Sequence, residues 1–243
     1  MEACWSYVRV ISAALGLDRE PVGVTFTDDE PAVEVEPGAY SVCGAIQKAA
    51  SGGVVRLSEE FCACSGGKVH IGLTARGEIP WKLLVEGEKL WCDVKTAVRS
   101  HAAVEKLAKP PVGLARTVFL YPVRAGIFKP DLVLMLVNAE QAARLITLYQ
   151  FWDGKLPSFE MRGPLCWSAI TYPLISGELN LTVGDISARR MEHWEPEHFV
   201  AAIPWERVRG IVDAVPCSTA GTAEPSDRFR RMTERMREQR STR

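Results

Sequence analysis

The sequence has no apolar run long enough to span a bilayer, and its longest plain stretch is the strand-length segment Leu132 to Val137. It lacks an excess of either charge: 29 Lys and Arg stand against 30 Asp and Glu. That balance leaves no basic footprint, so neither nucleic acid nor a membrane is expected as a partner. The start, Met-Glu-Ala-Cys-Trp-Ser, has no basic region followed by an apolar stretch, and it predicts a cytoplasmic protein rather than a secreted one. Several motifs are missing as well. There is no Gly-x-Gly-x-x-Gly after a strand, no phosphate-binding loop, no Gly-x-Ser-x-Gly and no His-Glu-x-x-His. Simple nicotinamide, nucleotide-triphosphate and serine-hydrolase chemistries lose support accordingly.

What is present is an ordinary globular composition, 47% hydrophobic and 24% charged. Residues 217–243 differ from the rest. They hold seven Arg and four acidic residues, a local charge of +3, which leaves −4 on the preceding chain. A single globular domain is expected over residues 1–216. A Ser/Thr/Gly/Pro-rich linker and a basic amphipathic tail follow, with Phe229, Met232 and Met236 at helical spacing. That stripe suits a homodimer contact or a partner helix.

Apolar periodicity predicts helices over residues 3–15, around Cys43 to Ala50, over Glu88 to Leu107, after Asn138, and over Trp205 to Val215. Strands are predicted over Pro21 to Phe26, Val54 to Leu57, Lys68 to Leu73, Arg116 to Tyr121, Leu132 to Val137, Leu179 to Val183 and Phe199 to Ile203. The fold class is α/β or α+β, a mixed sheet with flanking helices. A strand–helix–strand order followed by a cysteine recurs around Cys64 and Cys166, so two similar halves are expected at about 18–110 and 111–216. Such a repeat would bring Cys64 and Cys166 together.

Seven cysteines at irregular spacings do not make a disulfide scaffold. Cys62 and Cys64 precede Gly66-Gly67, whose small residues let backbone N–H groups approach sulfur. Cys43 lies on the preceding helix, and Cys166 follows the irregular Gly163-Pro164 turn. Soft ligands on separate segments suit an iron–sulfur cluster or zinc. The competing reading is that they are small buried hydrophobes. Four histidines, His70, His101, His193 and His198, show no paired metal-ligand spacing. Asp185 and Arg189 follow a strand, where Asp185 could act as a ligand or base and Arg189 could clamp an anion. The bland reading there is a capping aspartate and a surface arginine.

Taken together, several segments resemble the domain-of-unknown-function family 169, found mainly in anaerobic and metabolically versatile prokaryotes. They are Leu17-Asp18 through Pro21-Val22-Gly23-Val24, Cys43, Cys64-Ser65-Gly66-Gly67 through Ile71-Gly72-Leu73, Pro130-Asp131-Leu132-Val133-Leu134 with Asn138 and Gln141-Ala142, Cys166, Gly184 with Arg189, and Ile203-Pro204. The resemblance spans about Leu15 to Val215. It implies a cysteine directly after Gly184, where this chain carries Asp185. If the family cysteines hold a cluster, Cys43, Cys64 and Cys166 remain as ligands of a 4Fe-4S cluster, with its fourth iron open or bound by Asp185. The expected function is then an iron–sulfur protein of anaerobic enzyme type acting on a small molecule. The alternatives are a non-catalytic binder of an anionic or tetrapyrrole-like ligand, lined by Trp152, Trp167, Trp194 and Arg189, and an enzyme with Cys64 as nucleophile.

Overall fold

The computed structural model describes residues 2–75 and 81–241. The last two positions of the predicted tail, 242 and 243, lie outside the described residues. Six strands form one sheet: β1 Val22–Thr27, β2 Val55–Ser58, β3 Thr117–Pro122, β4 Leu132–Val137, β5 Asn180–Thr182 and β6 Phe199–Pro204. Their order is β2-β3-β1-β4-β6-β5, and every neighbouring pair runs antiparallel. The fold is therefore mixed α/β with an antiparallel sheet.

Both faces of the sheet are covered, which explains why β3 and β4 read as unbroken apolar runs and not as alternating ones. Val22, Val24, Leu132, Leu134 and Leu136 point to the first face, under helix α2 (Val42–Ala50) and the segment from Leu165 to Ile170. Val133, Met135 and Val137 point to the second face, under α1 (Glu2–Leu15), α5 (Ala139–Tyr149) and α8 (Trp205–Ala214). Asn138 starts α5 as expected. Its side chain accepts the Gln141 N–H at 2.9 Å, while Gln141 Oε1 accepts the Asn138 N–H at 2.8 Å. Near β1 the second face is closed by an aromatic ring instead of a helix. Tyr121 lies over Gly23 so closely that a Cβ there would sit 2.7 Å from the ring. Among the described residues, no helix is long and apolar enough to cross a membrane.

Two expectations are corrected. Lys68 to Leu73 is not a strand. Helix α3 (Ser65–His70) takes its place, and Ile71 and Leu73 are buried by the turn that ends it. The alternation of apolar residues there arises from a helix end, with Gly72 at φ +78° reversing the chain. The long helix expected from Glu88 is also shorter. Asp93 caps a new start by accepting the Thr96 N–H at 2.7 Å, and α4 covers Val94–Glu105. Lys82–Gly87 forms a separate wide helical turn, and Lys89 between them has φ 51°.

The halves correspond differently from the expected run. Exchanging β1 with β4, β2 with β5 and β3 with β6 leaves the sheet order unchanged. This is a symmetry of strand order; a duplication is not shown by it, and α5, on the second face, has no counterpart between β1 and β2.

Candidate functional site

Four residues singled out from the sequence sit at the starts of four helical segments. Cys43 occupies the first turn of α2, whose N-cap is Ser41. Cys64 is the N-cap of α3, and its Sγ accepts the Gly67 N–H at 3.2 Å. Cys166 precedes the helical segment Trp167–Thr171, which continues as α6 (Tyr172–Ser176). Asp185 is the N-cap of α7 (Ile186–Met191), and its Oδ1 accepts the Ala188 N–H at 2.8 Å. The strand-order exchange sets α3, after β2, opposite α7, after β5. Cys64 and Asp185 are thus equivalent caps, each bonding the N–H three residues on. Helix starts carry partial positive charge and free N–H groups, so each of these side chains stands where an anionic ligand atom is favoured.

These groups lie within reach of one another's charge. Burial pushes the Cys166 thiol well above the ordinary value, and the charges of Cys43, Cys64 and Asp185 push it further. Burial likewise raises Cys43, helped by Asp185, Cys64 and Glu192. On their own these two thiols stay protonated at neutral pH. A bound cation reverses that balance, because metal ligation removes the proton. Among the described residues, no three His, Cys, Asp or Glu side chains converge closely enough to grip a single metal ion. A zinc site brings all its ligands to one ion at about 2.0–2.3 Å.

Asp185 does a second job. Its Oδ2 accepts the Leu165 N–H at 3.0 Å, which ties the turn carrying Cys166 to the start of α7. Arg189 is not an open clamp. Its two terminal nitrogens donate to the carbonyls of Val183, His198, Glu195 and Pro196, at 2.7–2.9 Å. The fork expected to meet an anion instead holds together the loop from 183 to 198.

Two neighbours were not legible in the sequence. Ser41 Oγ accepts the Gly44 N–H at 2.8 Å and donates to Glu192 Oε1 at 2.5 Å. The Glu192 carboxylate lies where a side chain on residue 44 would be, since a Cβ there would meet Oε2 at 2.7 Å. Gly44 beside Cys43 was the available signal. Nothing marked Glu192, which joins the site only through the tertiary fold.

The remaining candidates fall elsewhere. Cys62 is buried in the first-face core, and its thiol donates to the Cys64 carbonyl at 3.6 Å. Cys92 and Cys217 are exposed, and Cys4 is half-buried. His70 ends α3, buried with Nδ1 unpaired. His198 is buried as well, with Nε2 3.8 Å from Asp18. The three tryptophans do not share one pocket. Trp152 bonds Gly210 O of α8, Trp167 bonds Ala108 O, and Trp194 lies in the first-face core.

A family model described as "Uncharacterised ArCR" matches residues 10–214. The chain belongs to domain-of-unknown-function family 169. Within that match lie all four helix starts of the site, from Cys43 to Asp185. No curated protein and no solved structure is similar to the chain.

Proposed function

We propose that this member of family 169 binds an iron–sulfur cluster through Cys43, Cys64 and Cys166. One observation carries the reading: three soft donors and Asp185 stand at the starts of four helical segments, within reach of each other's charge. A cluster presents its irons at separate corners, so its ligands need not converge on one point. Soft sulfur donors on separate helical segments suit such a group. The Gly67 N–H on Cys64 Sγ is the kind of bond that tunes a thiolate ligand. A three-thiolate cluster leaves one iron open as a Lewis acid for an oxygen, sulfur or nitrogen of a small-molecule substrate.

The chain's own groups then divide the work. Asp185, held by the N–H groups of Ala188 and Leu165, fixes the Cys166 turn and would be the carboxylate available to an iron that the three thiolates leave free. Arg189 stiffens the loop behind it. Glu192 places a second carboxylate beside Cys43, where a proton leaving a thiol can be received. The anion-binding alternative is weakened by Arg189, whose fork is committed to main-chain carbonyls.

The test is anaerobic reconstitution with iron and sulfide, followed by metal and sulfide analysis and visible absorption. A brown protein with several irons per chain is expected, and Cys166→Ser should lose most of the iron and the absorption. A colourless, iron-free product from the folded wild-type chain overturns the reading.

A further inference from the structure

The helices capped by Cys64 and Asp185 also end alike. After α3 the Leu73 N–H reaches back to the Lys68 carbonyl at 2.9 Å, and Gly72 between them has φ +78°. After α7 the Trp194 N–H reaches back to the Arg189 carbonyl at 3.1 Å, and His193 has φ 50°. Each turn drops one side chain into the first-face core, Leu73 in one case and Trp194 in the other. The two differ in chemistry. Leu73 carries no polar atom. Trp194 is only 6% exposed, yet it brings an indole N–H that has no acceptor among the described residues.

A buried donor without an acceptor is unfavourable, and native structures leave few of them. Other indoles of this chain are satisfied: Trp152 Nε1 donates to Gly210 O at 3.0 Å, and Trp167 Nε1 donates to Ala108 O at 2.7 Å. Leu73 shows that an apolar side chain closes such a turn, so packing alone does not call for the N–H. An indole donates and cannot accept, so its missing partner must be an acceptor. The surroundings are rich in sulfur. Cys166 belongs to the same buried cluster as Trp194, and Cys43 and Cys64 pack against that cluster. Glu192, two residues before Trp194, ends α7 and accepts from Ser41, the cap of the helix whose first turn carries Cys43. The turn that carries Trp194 is thereby tied to the start of α2.

We infer, resting on the cluster reading above, that the Trp194 indole N–H donates to a sulfur of the bound cluster and tunes its potential. A hydrogen bond to cluster sulfur stabilises the reduced form, which carries more negative charge, and so raises the potential. Trp194 adds a side-chain donor to the main-chain donor that Gly67 offers to Cys64 Sγ.

The test reconstitutes the full-length chain anaerobically with iron and sulfide, wild type beside Trp194→Phe and Trp194→Leu, neither of which has a donor at that position. Iron and sulfide per chain are measured first, and then the midpoint potential, by redox titration followed in the visible spectrum. Both variants should load as wild type does and titrate at a more negative potential. A merely structural loosening acts the other way, because water admitted to a cluster stabilises the added charge and raises the potential. A second measurement needs no variant. In wild type carrying isotope-labelled tryptophan, with the indole N–H signals assigned in the metal-free chain, that of Trp194 should shift or broaden on loading while that of Trp152, beside α8 on the other face, stays in place. Loaded variants at or above the wild-type potential, or a Trp194 signal unmoved by loading, overturn the inference and leave the cluster reading standing. A folded wild type that takes up no iron overturns both.

Discussion

Ser41 Oγ sits 2.5 Å from Glu192 Oε1, although the two residues are 151 positions apart in the chain. The contact couples the cap of α2, and with it Cys43, to the segment that follows α7. Because the charge of Glu192 helps to raise the Cys43 thiol, Glu192→Gln should lower the pH at which Cys43 reacts with a small alkylating reagent. The shift will be modest, since burial is the larger cause. Mass spectrometry of peptide-resolved alkylation against pH reads it directly, and an unchanged Cys43 profile removes Glu192 from the site's electrostatics.

The order in which thiols react separates a cluster protein from a cysteine-nucleophile enzyme. In the metal-free chain, exposed Cys92 and Cys217 should alkylate first, while Cys43, Cys62 and Cys166 remain protected by burial and raised thiol values. A Cys64 that reacts well ahead of Cys92 and Cys217 would instead favour the nucleophile.

Gly23→Ala should destabilise the fold by about 1–3 kcal/mol. The added methyl would press on the Tyr121 ring at 2.7 Å, and the ring is held by Thr25 at 2.8 Å and by the Phe128 carbonyl at 3.2 Å. Denaturant unfolding measures the loss. A neutral substitution would mean that the ring can move aside despite both hydrogen bonds.

Stability should also fall on the acid side through His70. Burial, then Lys109 and His101, lower its folded value from 6.5 to about 4. Between those values the unfolded chain binds the extra proton and the folded chain does not. The contribution, on the order of 3 kcal/mol, is therefore complete above about pH 6.5 and is lost as the pH falls toward 4. His70→Leu should flatten that part of a stability-against-pH curve, and an unaltered slope would assign it to other groups.

Much of the fold was readable because burial on both faces leaves a plain mark: Leu132 to Val137 can hardly be anything but a core strand. The capping of α5 by Asn138 was equally plain, since its partners are three residues apart. Lys68 to Leu73 misled because burial of Ile71 and Leu73 in a turn imitates strand alternation. At the site, Cys43, Cys64, Cys166 and Asp185 were legible as isolated positions. The roles of Asp185 Oδ2 and of the Arg189 fork were not, because their partners are main-chain atoms, which carry no sequence signature. Glu192 was invisible for a different reason, as its partner Ser41 lies far away along the chain.

The seam between β1 and β4 has a consequence for biosynthesis. Cys43 and Cys64 leave the ribosome with the strands on one side of that seam, and Cys166 and Asp185 follow with those on the other. A nascent chain that has completed β3 has β1 as a bare edge, which β4, the next strand made, then covers. The four helix starts therefore meet only after nearly the whole body has emerged, and a translation product that ends before β4 holds only the Cys43 and Cys64 half of the site.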